Sequence, residues 1–323
     1  MKEVCKIQGI EPFNEVYYKD CYFNSLFSVM NYFHADISYV LINDIFHYDL
    51  LNQGRGLQIR YQEIKDINEI LLESSIKVES RGYSDDIIGD IKNAINQDKP
   101  VILAVDSFCC PNILDTYQKN HVPHTILING YDDLQRIFYI IDLEILNNLT
   151  YKKFTISYEQ LLTAHQADLV VSNQKKGENT IFFYSKTDVR HQLPEVRFIF
   201  LENLRSKENE LLKGLEDFEE FIHNYDSLSN SDKSHASKEL LDCFVQIFNS
   251  KKVEHYRFER IFGDKHLLTI GLQQIQDVWK QIMTQYGLYH YSPKKPESLT
   301  IQASVLLKEA MVLEKELLSK LLF

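Results

Sequence analysis

Cysteine is scarce in this chain of 323 residues: Cys5, Cys21, Cys109, Cys110 and Cys243 are the whole set. The number is odd, two are adjacent, and no pair has CxxC spacing. This argues against a disulfide framework, a zinc site and a thiol-redox motif. Basic charge is also in deficit. Lys and Arg total 35 against 46 Asp and Glu, a formal net charge of −11. A nucleic-acid partner demands the opposite balance; an acidic surface suits a cationic ligand better. Long apolar runs are missing as well. No stretch approaches the ~20 residues of a membrane span, and the opening "MKEVCKIQGIEPF" has no signal-peptide core. The expectation is a cytoplasmic protein with reduced thiols and no membrane partner.

What is present is an ordinary globular composition, 44% hydrophobic and 25% charged, long enough for one large domain or two smaller ones. In "KDCYFNSLFSVMNYF" the apolar positions Phe23, Leu26, Phe27, Met30 and Phe33 recur at helical spacing, and Asp20 is a fitting N-cap just before Cys21. Further helices are expected over Tyr61–Leu72 and Ser84–Gln97. "PVILAV" (100–105) reads as a strand. "HTILINGY" (124–131) and "RIFYIID" (136–142) read as a hairpin, and "TIFFY" (180–184) and "VRFIFL" (196–201) as later strands. Beyond residue 201 strand signals vanish. Helices are expected over 202–223, 234–249, 266–286 and 299–322, with polar loops at 224–235 and 291–298. The expected architecture is α+β: a mixed domain over 1–200, with the cysteine helix packed on an antiparallel sheet, then an all-helical domain over 201–323. The last amphipathic helix is core or a homodimer face; its mixed charge does not suit a membrane surface.

Thiol catalysis needs a partly ionised thiol, a base in reach, and a group that orients the base. Cys21 at a helix N-terminus meets the first need, because unpaired N–H groups and the helix dipole favour the thiolate. His124 opens one hairpin strand and Asp142 closes the other. If Tyr131 pairs with Gln135 across a three-residue loop, His124 falls opposite Asp142, on one face of the sheet. A one-residue slip would part them. "HVPH" (121–124) lacks a third metal ligand at sensible spacing, and no cofactor motif is present. Cys109 and Cys110 fall in the loop after the 100–105 strand. Asp106 is either a pocket acceptor or a strand-end cap, and "GYD" (130–132) is turn chemistry.

Taken as an ordered set, these motifs resemble a papain-like cysteine fold, with the C39-like peptidases as general relatives. The match is closer to the N-terminal domain of the butirosin-biosynthesis acyltransferase family, butirosin biosynthesis protein H. Asp20–Cys21 with Asn24–Ser25–Leu26, "PVILAVDSFCCP", Tyr117, His121 with His124, and "INGYDD" carry the resemblance, over about residues 15–145. It implies a Cys21–His124–Asp142 site that moves an acyl group from a carrier-protein thioester to a small amine, with Asn24, Asp106, Tyr117 and His121 toward substrate. The departure is Glu15, where papain-like enzymes usually carry a glutamine that donates to the oxyanion. Asn14 and Asn24 are the neighbouring amides that stand as alternative donors, beside the Cys21 N–H. Two other classes fit the same residues: a C39-like peptidase or amidase, and a non-catalytic papain-like binding module.

Overall fold

The computed structural model describes residues 3–146, 148–171, 180–187, 193–228 and 230–322. The chain divides into two compact units, 1–37 with 67–193, and 38–66 with 194–323.

The first unit is built on an antiparallel sheet. Its strands are β1 (Val4–Lys6), β4 (Ile76–Arg81), β5 (Val101–Asp106), β6 (Pro123–Asp132), β7 (Ile137–Asp142), β8 (Lys152–Ser157) and β9 (Ile181–Lys186). They run in the order β4-β9-β5-β6-β7-β8, with β1 also on β6. The helices of this unit are α1 (Cys21–Tyr32), α3 (Ile67–Glu73), α4 (Ile87–Ile95) and α5 (Tyr158–Val171). β5 is a near-continuous apolar run, and the residues of both β5 and β6 are almost all buried; such strands carry helices on their faces. Gly130 lets β1 approach. A Cβ there would stand 2.8 Å from the carbonyl oxygen of Cys5 and 3.0 Å from Cα of Lys6.

The hairpin register differs from the expected one. Tyr131 pairs with Phe138, not Gln135, so the connection is longer: Asp132 faces Ile137. Arg136 takes a left-handed φ of 56°, and the Asp132 carboxylate accepts the Gln135 N–H. That three-residue shift is odd and by itself would send His124 and Asp142 to opposite faces. A bulge between Ile128 and Gly130 takes one residue back, after which Ile128 faces Ile140 and Leu127 faces Ile141. The net shift of two is even. His124 and Asp142 therefore share a face as diagonal neighbours, not as a directly opposed pair.

Among the described residues, the second unit is helical except for one hairpin. Strands β2 (Asp44–Leu51) and β3 (Gly56–Glu63) pair along their full length, from Asp44–Glu63 to Leu51–Gly56. The helices are α2 (Ser38–Leu41), α6 (Val196–Ser206), α7 (Glu208–Ser227), α8 (Asn230–His235), α9 (Ser237–Phe262), α10 (Leu267–Tyr291) and α11 (Glu297–Leu322). Tyr48, Phe218, Phe244, Trp279 and Tyr286 form its aromatic centre. Gly214 brings α7 against β2, since a Cβ there would sit 2.9 Å from the Tyr48 nitrogen.

Five expectations are corrected. The division falls at 193/194, and the second unit also takes 38–66. That unit is not all-helical, because it holds the β2–β3 hairpin. The helix expected over 61–72 splits into the end of β3 and α3; Leu57, Ile59 and Tyr61 alternate along the strand. "VRFIFL" begins α6. An apolar run is ambiguous between strand and helix, and the buried pair here is Phe200 and Leu204, four apart, while Phe198 is exposed. The loop expected at 224–235 also shortens, as α7 continues to Ser227 and α8 starts at Asn230.

Candidate active site

The site grows from the start of α1. Asp20 caps the helix, its Oδ1 accepting from the N–H groups of Tyr22 at 2.9 Å and Phe23 at 3.3 Å. Cys21 is the first helical residue and is half-buried. Its own N–H, like every first-turn N–H, has no acceptor within the helix. Asn24 is fully buried one turn on. Its amide donates to the Val16 carbonyl at 2.9 Å and accepts from the Tyr18 N–H at 3.2 Å. This ties the approach segment 16–18 to the helix and thereby fixes where the thiol stands. Asn24 is thus an anchor of the chain entering α1, and its amide is committed there.

His124 is buried on β6. Its Nε2 lies 2.6 Å from Asp142 Oδ1, with both side chains fully enclosed. Asp142 also accepts the Leu143 N–H at 2.7 Å, and its Oδ2 accepts the Asn112 amide at 2.7 Å. Asn112 donates to the Leu143 carbonyl too, at 3.0 Å. The other ring nitrogen of His124, Nδ1, is buried and meets no hydrogen-bond partner of ordinary geometry. Cys21 is the thiol that acts on the ring. Burial is the largest single influence on the imidazole and would lower its pKa. The Asp142 charge, the Cys21 charge and the hydrogen bond to Asp142 outweigh it and hold the pKa well above the usual value. A cation flanked by a carboxylate and a thiol has the charge order of an acid–base relay.

The residues expected to face substrate divide differently. Asp106 is buried. It pairs with Pro123, one step along from the Val105–His124 pair, so its side chain leaves the opposite sheet face. Its carboxylate accepts from the N–H groups of Phe108 and Val122 and contacts His121 Nδ1 at 2.5 Å. Of its two readings, the strand-end cap describes its contacts. His121 is exposed and stacks on Phe108 with ring centroids 4.2 Å apart. Together they close the loop that carries Asn112 to Asp142. Tyr117 is half-buried in that loop and its hydroxyl accepts from the Gln118 amide at 3.3 Å. Cys110 is buried and Cys109 half-buried; burial raises the pKa of both. Asn14 spends both ends of its amide on the backbone of Tyr151, at 2.9 Å each. Glu15 is exposed.

Asn112 and Tyr151 carry no periodic signal in the sequence: one is a loop amide 30 residues before its partner, the other one aromatic among many. Asp168, on α5, was also missed. It is buried, and its carboxyl is pushed up to about 6, first by burial and then by the charge of Asp106, with His124 opposing. Its folded pKa lies above the unfolded one, so its stabilising contribution is full in acid and lost as pH rises through about 6. Asp168→Asn is expected to gain about 1 kcal/mol over wild type at pH 8 and nothing at pH 4. Thermal unfolding at the two pH values checks this, and equal shifts at both would contradict it.

Among the described residues, no group of three or more His, Cys, Asp or Glu side chains is placed to hold a metal ion, and no helix is long and apolar enough to cross a membrane. No protein-family model matches the chain, and no curated protein matches it significantly.

Proposed function

We propose that this chain is a cysteine-dependent acyltransferase of natural-product assembly, moving an acyl group from a carrier-protein thioester to a small amine through an acyl-Cys21 intermediate. The observation that carries it is the fully buried His124–Asp142 pair at 2.6 Å, with the Cys21 charge also acting on the ring. A cysteine helix with an antiparallel sheet bearing histidine and aspartate also supports the papain-like reading of the first unit.

The Cys21 thiolate attacks the thioester carbonyl, forming a new C–S bond and a tetrahedral oxyanion. Collapse breaks the donor's C–S bond, and the His124 imidazolium gives its proton to the departing thiolate. The neutral imidazole then takes a proton from the incoming amine as its nitrogen attacks the acyl-Cys21 carbonyl. The second collapse releases the amide and restores the Cys21 thiolate beside the imidazolium. Asp142 keeps the ring oriented throughout. A net charge of −11 suits a cationic amine acceptor, and a cytoplasmic setting keeps the thiol reduced.

The test is incubation with acyl-carrier thioesters followed by intact mass and peptide mapping. A single acyl adduct on Cys21 is expected, discharged when an amine is added. No adduct on Cys21 would overturn the proposal. An adduct that water discharges as fast as amine would assign the site to a C39-like hydrolase.

A further inference from the structure

We infer that the hydroxyl of Tyr151 is the side-chain donor to the oxyanion formed at Cys21; this rests on the acyl-transfer reading above. Acyl transfer at a thiol places negative charge on the former carbonyl oxygen, and preorganised donors aimed at that oxygen supply much of the rate. The Cys21 N–H is one such donor by virtue of opening α1. The neighbouring amides already spend a donor on the backbone. Glu15 is an exposed carboxylate. The Asn14 amide is held at both ends by Tyr151, and the Asn24 amide is held by Val16 and Tyr18.

Tyr151 is different. It is only 3% exposed, and its hydroxyl is buried with no hydrogen-bond partner. A buried donor left unmade is costly, and native proteins rarely keep one without use. Its backbone is clamped on both sides: Asn14 grips its N–H and carbonyl, and the next residue, Lys152, pairs with Asp142. These contacts hold the Tyr151 backbone next to the strand position that faces Asp142. After burial, the charge the Tyr151 hydroxyl feels most is that of Cys21, then those of Tyr17, Asp142 and Asp20; together these hold the phenol far above its usual pKa. The hydroxyl therefore keeps its proton at any working pH and acts as a neutral donor. Its partner arrives with the substrate, as the oxygen that becomes O⁻ when the Cys21–carbon bond forms and reverts to C=O when the donor's C–S bond breaks.

The test compares two reactions of Cys21 in the full chain, in wild type and Tyr151→Phe. Acylation by S-acetyl-N-acetylcysteamine passes through an oxyanion; alkylation by iodoacetamide displaces iodide at a saturated carbon and does not. Tyr151→Phe removes only an unpartnered oxygen, so the protein is expected to fold with an unchanged or higher Tm. Acylation is expected to slow by about 10²-fold, while alkylation stays within about twofold. Unchanged acylation, or an equal loss in both reactions, would overturn the oxyanion role and leave acyl transfer standing. A wild-type protein that alkylates at Cys21 but never acylates would overturn the acyl-transfer reading, and this inference with it.

Discussion

Asp142→Asn is expected to lower the rate of Cys21 acylation by about 10⁴-fold while leaving the chain folded. Three donors converge on this carboxylate: His124 and the Leu143 N–H on Oδ1, and the Asn112 amide on Oδ2. An asparagine must turn an NH₂ toward one of these positions. Placed at Oδ2, it confronts the NH₂ of Asn112. Placed at Oδ1, it confronts the Leu143 N–H and forces Nε2 of the ring to accept, which sends the imidazole proton to Nδ1. A neutral ring in that tautomer cannot take a proton on Nδ1 from thiol or amine.

The electrostatic effect has the same direction. Without the Asp142 charge, burial becomes the dominant influence on His124, and the imidazole pKa falls from well above its usual value toward or below it. Imidazole NMR titration reads this directly, with a lower His124 pKa expected in the variant. Stability follows by linkage. In wild type the folded-state pKa of His124 exceeds the unfolded ~6.5, so its contribution is complete below about pH 6.5 and is lost as pH rises through the folded value. The gap in stability between wild type and Asp142→Asn should therefore be widest near pH 6 and narrow in alkali. Acylation within tenfold of wild type would show that Asp142 does not orient the ring.

The elements of this site were legible to different depths. The helix of Cys21 was readable because its apolar stripe and its Asp20 cap are local, and both stand as expected. The strands carrying His124 and Asp142 were readable from their apolar runs. Their register was not, because it depends on the loop length and on a bulge near Asn129, beside which Ile7, just after β1, donates its N–H to the Asn129 carbonyl at 2.8 Å. The expected same-face placement holds in the structure only because two departures sum to an even shift. Asn112 and Tyr151 were invisible because nothing local requires them; what marks them is a carboxylate to satisfy and a hydroxyl left unsatisfied. The β2–β3 hairpin was hidden for another reason. Its strands bury their faces against helices more than 150 residues later, as when the Gln246 side chain accepts the Ile59 N–H and donates to its carbonyl.

Lys251→Met should destabilise the second unit by about 3–5 kcal/mol. Lys251 is 4% exposed at its side chain and bridges two carboxylates, Glu254 at 2.6 Å and Glu314 at 2.7 Å. Burial alone would lower its pKa; the two glutamates outweigh that and raise it. Methionine matches the length of the stem but leaves Glu314 with the Tyr48 hydroxyl, at 2.5 Å, as the neighbour that still donates to it, and Glu254 leaning on Arg257 at 3.5 Å. Two anions would then share a buried region with one cation fewer, and burying an uncompensated charge is what makes such a substitution costly. The single tryptophan of the chain, Trp279, is fully buried in this unit and donates its indole N–H to Tyr48 at 3.1 Å. Its fluorescence in urea therefore follows this unit and not the sheet. The double variant Lys251→Met/Glu314→Leu removes one charge of each sign and leaves Glu254 to Arg257. It should recover more than half of the loss, because an apolar pair of similar volume replaces a buried ion pair at little net cost. A single-variant loss under about 1 kcal/mol would mean that water reaches these carboxylates in solution; a double variant no better than the single would mean that Lys251 acts through its packing and not its charge.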